Sequence, residues 1–136
     1  MTKFILTLSI ILGLTGCVSQ KQPLSLDYIA GNETFHLSKP CIEQALPVGE
    51  VGDDLAVNAN NIFIKIKKGL NCSDRFKLFL ARNLGKELFI YFDGKPVIKT
   101  RLVSMIHPEE GFHQAIESKS LSDGILRSLN FRQKIN

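Results

Sequence analysis

The clearest structural signal in this chain is the run Leu88-Phe89-Ile90-Tyr91-Phe92-Asp93-Gly94-Lys95-Pro96-Val97. Its five leading apolar and aromatic residues favour a strand that is buried on both faces, and Asp-Gly is a strong signal for a hairpin turn. The chain then returns over residues 97–103 as a second strand, with Pro96 near its start, where a missing N–H group is tolerated. We therefore expect a β-hairpin at the centre of an antiparallel sheet.

A strand and a helix precede this hairpin. Over residues 62–67 isoleucines alternate with Lys65 and Lys67, which predicts a half-buried strand with a basic outer side. Four apolar side chains then recur at helical spacing: Phe76, Phe79, Leu80 and Leu84. Ser73 is the predicted N-cap of this helix, and Gly85 is its predicted C-terminal stop.

Weaker signals flank these elements. A short strand is expected over residues 34–37, a turn-rich acidic loop over 47–54, and a fourth sheet strand over 112–116, after a loop at 107–111. The last helix is amphipathic through Leu121, Ile125, Leu126 and Leu129. Ser120 or Ser122 is its predicted cap.

This order of elements predicts an α+β fold: a mainly antiparallel four-stranded sheet covered on one face by two helices. The open face would then carry Lys65, Lys67, Lys99 and Arg101. Together with the loop that begins at His107, this basic face is the candidate binding surface.

The N-terminus has the three-part layout of a secretory signal: basic Lys3, an apolar run over residues 4–14 and a small-residue site. Its ending, Leu14-Thr15-Gly16-Cys17, resembles the lipobox of bacterial lipoproteins, which implies a fatty-acylated Cys17 as first mature residue. Val18 in place of Asp favours the outer membrane. We expect a signal peptide at 1–16, the lipidated cysteine and a tether at 17–26, and one periplasmic α+β domain at 27–136. The alternative is an ordinary cleaved signal.

The other two cysteines, Cys41 and Cys72, form an even pair in an oxidising compartment. A disulfide between them would close a loop of about 32 residues and contribute on the order of 3 kcal/mol. The alternative is a reactive or metal-binding thiol pair. Because nothing lies at C-x-x-C spacing, we favour the disulfide.

Charge is distributed unevenly along the chain. Residues 65–101 hold ten basic and three acidic residues, although the net charge of the whole chain is only +4. Such a block suits phosphate head groups or an acidic partner. Nucleic acid is not expected as a partner, because no recognition motif accompanies the charge. The simplest alternative is a solvated surface.

Catalytic patterns are lacking in the sequence. His36, His107 and His113 do not pair at the spacing of a metal site on a helix, so neither a metal nor a cofactor is expected. The adjacent carboxylates Asp53-Asp54 and Glu109-Glu110 point apart on a strand and form no acid/base pair. We interpret the chain as a non-enzyme.

A further resemblance begins at Phe76 and is densest over Asn83-Leu84-Gly85-Lys86-Glu87-Leu88-Phe89-Ile90-Tyr91-Phe92-Asp93-Gly94-Lys95. This run resembles the periplasmic head of the SecD translocon subunit, where a helix ends in Asn-x-Gly-Lys and a strand enters Asp-Gly-Lys. The likeness extends loosely over residues 60–129. It departs from the family at Ile98-Lys99-Thr100-Arg101 and at Glu110-Gly111. It implies a SecD-head-like domain suited to contacting other polypeptides.

The leading hypothesis is therefore a lipid-anchored periplasmic module that binds another envelope or exported protein without catalysis. Two alternatives stay open. One is an immunity or inhibitor lipoprotein that blocks a periplasmic toxin or lytic enzyme. The other is a small structural subunit of a secretion apparatus.

Overall fold

A computed structural model describes residue 16 and residues 24–48 and 60–129 of the chain. Its regular elements are seven strands and two α-helices: β1 Ser25–Ala30, β2 Glu33–Ser38, β3 Ile42–Pro47, β4 Ile62–Ile66, α1 Ser73–Arg82, β5 Glu87–Phe92, β6 Lys95–Arg101, β7 Phe112–Gln114 and α2 Lys119–Leu129. A 3₁₀ turn, Lys39–Cys41, joins β2 to β3. The α+β class is confirmed.

The strands form two antiparallel sheets rather than one. The four-stranded sheet has the order β2-β1-β5-β6, and the three-stranded sheet has the order β3-β4-β7. The prediction of a single sheet shared by the strands at 62–67 and 88–92 is therefore wrong. The reason is that each strand pairs with a strand that the sequence did not predict: β5 with β1, and β4 with β3.

The two helices are also divided between the sheets. Helix α1 packs against β2, and α2 packs against β3. The expectation that both helices cover one face of one sheet is corrected accordingly. In α1, Phe76 stacks on Phe35 with ring centroids 4.8 Å apart, and its ring also lies 5.9 Å from that of Phe112. Helix α1 thus contacts residues of both sheets.

The predicted hairpin is confirmed. Asp93 and Gly94 both have positive φ, 49° and 72°, the combination that a tight turn between twisted strands requires. Strand β6 begins two residues earlier than expected, so Pro96 lies inside it, and the register shifts between Ile90 and Tyr91.

The domain begins earlier than the sequence analysis placed it. Strand β1 starts at Ser25 and buries Leu26, Tyr28 and Ala30, so residues 25 and 26 belong to the sheet and not to a tether. Burial alternates along the strand, with Leu26, Tyr28 and Ala30 on the core side, which is the pattern of a half-buried strand with one face on the core.

Two predicted helix caps are corrected. Ser73 is the first residue of α1, preceded by Cys72 at the N-cap position, and its buried hydroxyl accepts a hydrogen bond from the backbone N–H of Gly69 instead. At α2 the hydroxyl of Ser118 accepts a hydrogen bond from the N–H of Leu121, the role assigned to Ser120 or Ser122.

One hydrophobic core joins both sheets and both helices. Its fully buried large side chains are Leu26, Tyr28, Leu37, Ile62, Ile64, Ile66, Phe76, Phe79, Leu80, Ile90, Ile125 and Leu129. The disulfide between Cys41 and Cys72 is confirmed and ties the 3₁₀ turn to the start of α1, with Cα atoms 5.2 Å apart. Burial of this continuous apolar set is the main stabilising contribution.

The predicted lipidation site Cys17, residues 1–15 of the signal peptide and most of the 47–54 loop lie outside the described residues. Within the described residues, no helix combines the length and the apolar character needed to cross a bilayer.

Candidate functional site

Three segments meet where β4 ends. The backbone N–H of Ile66 donates to the carbonyl of Pro108 over 2.9 Å, and the N–H of Lys67 donates to the carbonyl of Cys41 over 2.8 Å. The N–H of Ser73 donates in turn to the carbonyl of Lys67. These bonds join the end of β4 to the 107–111 loop, the disulfide and the first turn of α1.

A charged cleft opens at this junction. We call it the cleft; its volume is about 940 Å³, and it is lined by Glu43, Lys65, Lys67, Lys68, Glu109 and Glu110. Three ammonium groups and three carboxylates thus face the same space. A cleft of mixed sign suits a polypeptide, which carries both charges, better than a uniformly anionic polymer.

Two ion pairs organise the cleft wall. Lys65 Nζ lies 3.8 Å from Glu43 Oε1, and Lys77 Nζ donates to Glu109 Oε1 over 2.6 Å, which ties the loop to α1. The Lys77 ammonium holds the pKa of Glu109 below its usual range, and the same bond raises the pKa of Lys77. Both groups are therefore charged at neutral pH.

Glu109 has a second oxygen with a different environment. Its Oε2 is buried and has no hydrogen-bond partner among the described residues, while Oε1 is held by Lys77. An unpaired buried acceptor costs free energy, so this oxygen destabilises the fold locally. The side chain is 16% exposed, so it faces the cleft from the wall.

An apolar strip adjoins the cleft on the outer side of the three-stranded sheet. Leu46, Phe63 and His113 lie side by side across β3, β4 and β7. Leu46 is 44% exposed, and the Phe63 ring lies 5.9 Å from that of His113. We call these three residues the β4 strip; Lys65 continues it into the cleft, since it follows Phe63 by two positions on the same strand face.

Gly111 makes this arrangement possible. Its φ is +100°, and a Cβ atom built on it would lie 2.1 Å from Cζ of Phe63. The Phe63 ring therefore rests directly on the backbone of Gly111, in space that any other residue would fill.

The structure brings together part of the predicted binding surface. Lys65 and Lys67 line the cleft, and His107 begins the turn beside it, where the Glu110 N–H donates to the His107 carbonyl. Lys99 and Arg101 are in the other sheet, so the prediction of one basic face for all these residues is wrong. The cause is the division of β4 and β6 between two sheets.

Lys99 and Arg101 have local partners of their own. Lys99 Nζ lies 3.5 Å from Glu87 Oε1 and 5.3 Å from the centre of the Phe89 ring. Arg101 donates to the carbonyl of Gly85. These contacts tie both cations to the hairpin of the four-stranded sheet.

The histidines are distributed over three places. His36 on β2 shares a 2.6 Å contact with Asp27, His107 lies in the loop, and His113 belongs to the β4 strip. No group of three histidine, cysteine or carboxylate side chains that could hold a metal ion occurs in the described parts of the chain.

Sequence reasoning missed the β4 strip and Glu43. The position of Phe63 could have been predicted, because it lies two residues before Lys65 and therefore on the same outer face of the alternating strand. Leu46 and Glu43 could not be predicted in this way, because the β3 burial pattern departs from strict alternation. Comparisons of the chain with protein-family models, with curated proteins and with solved structures find no match.

Proposed function

We propose that this chain is a lipid-anchored protein of the bacterial envelope, facing the periplasm, whose domain binds another envelope protein without catalysis. The cleft and the β4 strip are the binding site. The observation that carries the proposal is their adjacency: an exposed apolar strip that runs directly into a space lined by both signs of charge.

This combination resembles the anatomy of a protein interface. Such interfaces have an apolar centre that excludes water and a polar rim that sets orientation. Phe63 is the natural anchor, because its ring is half-buried and is fixed against Gly111. Lys67 and Lys68 have no ion-pair partner among the described residues, so they are available to a partner's carboxylates.

The membrane anchor rests on the Leu14-Thr15-Gly16-Cys17 sequence. Mass spectrometry of the N-terminal peptide from membranes tests it directly. We expect an acylated Cys17 in the native protein and an unprocessed signal in Cys17→Ala. A mature N-terminus without fatty acid would contradict the anchor and leave the binding site untouched.

A pair of charge reversals tests the binding site. Lys65→Glu/Lys67→Glu changes the cleft, whereas Lys99→Glu/Arg101→Glu makes the same change of charge on the other sheet. We expect the first variant to lose most of its cross-linked partner in cells and the second to retain it. Equal loss in both variants, or in neither, would contradict the assignment of the site.

The identity of the partner separates three forms of this proposal. A translocon component or an exported chain would agree with the SecD-like resemblance. A toxin or lytic enzyme would make the protein an immunity protein, and a large secretion complex would make it a structural subunit.

A further inference from the structure

We propose that the loop Gly69-Leu70-Asn71 docks on the phospholipid surface of the membrane, with Leu70 in the interface and Lys39 on anionic head groups. The inference rests on the proposed lipid anchor and goes beyond the protein-binding site. It assigns an orientation to the domain: the end that carries this loop faces the bilayer.

Several hydrogen bonds and the disulfide fix the loop in a conformation in which the Leu70 side chain is exposed to solvent. The N–H groups of Cys72 and Asp74 both donate to the carbonyl of Gly69, and the N–H of Gly69 donates to the hydroxyl of Ser73. The disulfide then fixes Cys72 to Cys41. Within this frame Leu70 is 80% exposed, the highest value among the large apolar side chains of the described residues.

The loop lies at the end of the domain where the proposed anchor joins it. Ser25, the first residue of β1, pairs with Ser38, and the 3₁₀ turn that follows Ser38 ends at Cys41. Cys41 and Cys72 have Cα atoms 5.2 Å apart, and Leu70 is two residues from Cys72. The first strand is therefore linked to the exposed leucine through one strand pair, the 3₁₀ turn and the disulfide.

The length of chain before β1 limits the distance to the bilayer. The seven residues 18–24 separate Cys17 from Ser25, and a fully extended chain of that length spans at most about 25 Å. A lipid on Cys17 therefore holds this end of the domain close to the membrane surface. Tethering raises the effective concentration of the loop at the lipid, so a weak contact becomes occupied.

Lys39 is a cation at this end of the domain that lies outside the cleft. Lys39 is exposed and forms no ion pair with the described residues. Lys67 and Lys68 share the cleft with three carboxylates, and Asp74 on α1 is also exposed. Each lysine near an anionic leaflet strengthens binding by about fivefold. A leucine with a nearby lysine matches the interface, where an apolar group enters the acyl boundary and an ammonium group stays with the phosphates.

The absence of tryptophan from the sequence makes the test direct. Leu70→Trp is prepared as the full lipidated protein and reconstituted in vesicles of phosphatidylcholine and phosphatidylglycerol in equal parts. We expect its emission to shift to the blue and to be quenched by lipids brominated on their acyl chains. Adding Lys39→Gln, which leaves the cleft unchanged, should reduce that quenching.

The matched control is Val103→Trp. Val103 is 77% exposed and follows the end of β6. There Arg101 pairs with Glu87, the first residue of β5. The start of β1 lies at the other end of β5, where Leu26 pairs with Phe92. Its emission should stay red and unquenched in the same vesicles. Unquenched Leu70→Trp, or equal quenching at both positions, would overturn the inference.

Failure of this inference can be told apart from failure of the proposed function. Failure of the anchor appears as an unmodified Cys17 peptide, and failure of the protein-binding site appears as unchanged cross-linking of Lys65→Glu/Lys67→Glu. Failure of membrane docking appears only in the tryptophan signal of an acylated protein.

Discussion

The phenolic hydroxyl of Tyr28 donates a hydrogen bond of 2.9 Å to Oε1 of Gln114 in the middle of the core. Tyr28 belongs to the four-stranded sheet and Gln114 to the three-stranded sheet, so this bond links the two across 86 residues of sequence. Burial raises the pKa of Tyr28, which keeps its hydroxyl protonated and donating. Gln114 donates in turn to the carbonyl of Ala115, so both ends of its amide are satisfied.

Removing this link should destabilise the domain. Tyr28→Phe leaves Gln114 Oε1 buried without its donor, which costs about 1–3 kcal/mol in the free energy of unfolding. Tyr91→Phe is the control, because Tyr91 is half-buried on the same sheet and its hydroxyl makes no hydrogen bond with a described residue. Urea unfolding checks both variants. Equal stabilities would show that the link contributes nothing.

The contact between Gly111 and Phe63 gives a second prediction. Gly111→Ala combines a positive φ with a collision against the Phe63 ring, whereas Gly94→Ala has a positive φ and open space. Overpacking costs about 1–3 kcal/mol, so Gly111→Ala should lose that much more stability than Gly94→Ala. Phe63→Ala in the same chain as Gly111→Ala should recover part of the loss. If the two glycine variants unfold alike, the close approach is not confirmed.

Loss of the disulfide should destabilise the whole domain and the loop it braces. Cys41→Ala/Cys72→Ala should lower the free energy of unfolding by about 3–4 kcal/mol, mainly because the unfolded chain gains conformational freedom. Complete reduction of the native protein should shift the urea midpoint down as far as the Cys41→Ala/Cys72→Ala substitution does. An unchanged midpoint after complete reduction would contradict this prediction.

The Lys77–Glu109 pair predicts a pH dependence of stability. Because the pKa of Glu109 is lowered in the fold, its contribution is present above the unfolded value of about 4.3 and is lost as pH falls through the folded value. Because the pKa of Lys77 is raised in the fold, the contribution of Lys77 to the free energy of unfolding is present below about pH 10.4. It is lost as pH rises further through the folded value.

Unfolding measured at a series of pH values checks this window. Glu109→Gln should be less stable than the native protein between about pH 5 and 10, and the difference should shrink at lower pH. Glu117→Gln is the control, since Glu117 is exposed and has no ion pair among the described residues. A difference that persists unchanged at pH 3 would mean that the pair's charge is not responsible.

Local chemistry made several elements predictable from the sequence. Asp93-Gly94 specified the hairpin, and alternating isoleucines specified β4. The spacing of Phe76, Phe79 and Leu80 specified the buried face of α1, but the prediction that Leu84 belongs to it is wrong, because the helix ends at Arg82 and Leu84 is 49% exposed. The disulfide followed from the pair of cysteines that remains when Cys17 is assigned to the expected lipobox. Each of these signals lies within a few residues of sequence or, for the disulfide, follows from the number of cysteines.

The sheet partition and the candidate site were beyond such signals. Strand β3 buries Ile42 and Ala45 across a register shift, so its apolar residues do not alternate. Pairing of β4 with β3 and β7, and of β5 with β1, joins segments distant in sequence, and strand pairing of this kind is decided by the whole core. The cleft depends on that pairing, which explains why Lys65 was found and Glu43 and Leu46 were not.

The most direct test of the binding site is photo-crosslinking in cells from a photoreactive amino acid at Leu46, with the same residue at Leu78 as control. Leu46 belongs to the β4 strip, and Leu78 is similarly exposed on the outer side of α1. We predict one dominant envelope protein cross-linked from position 46, absent from position 78 and lost in Lys65→Glu/Lys67→Glu. The same products from both positions, or products unaffected by the charge reversal, would contradict the account.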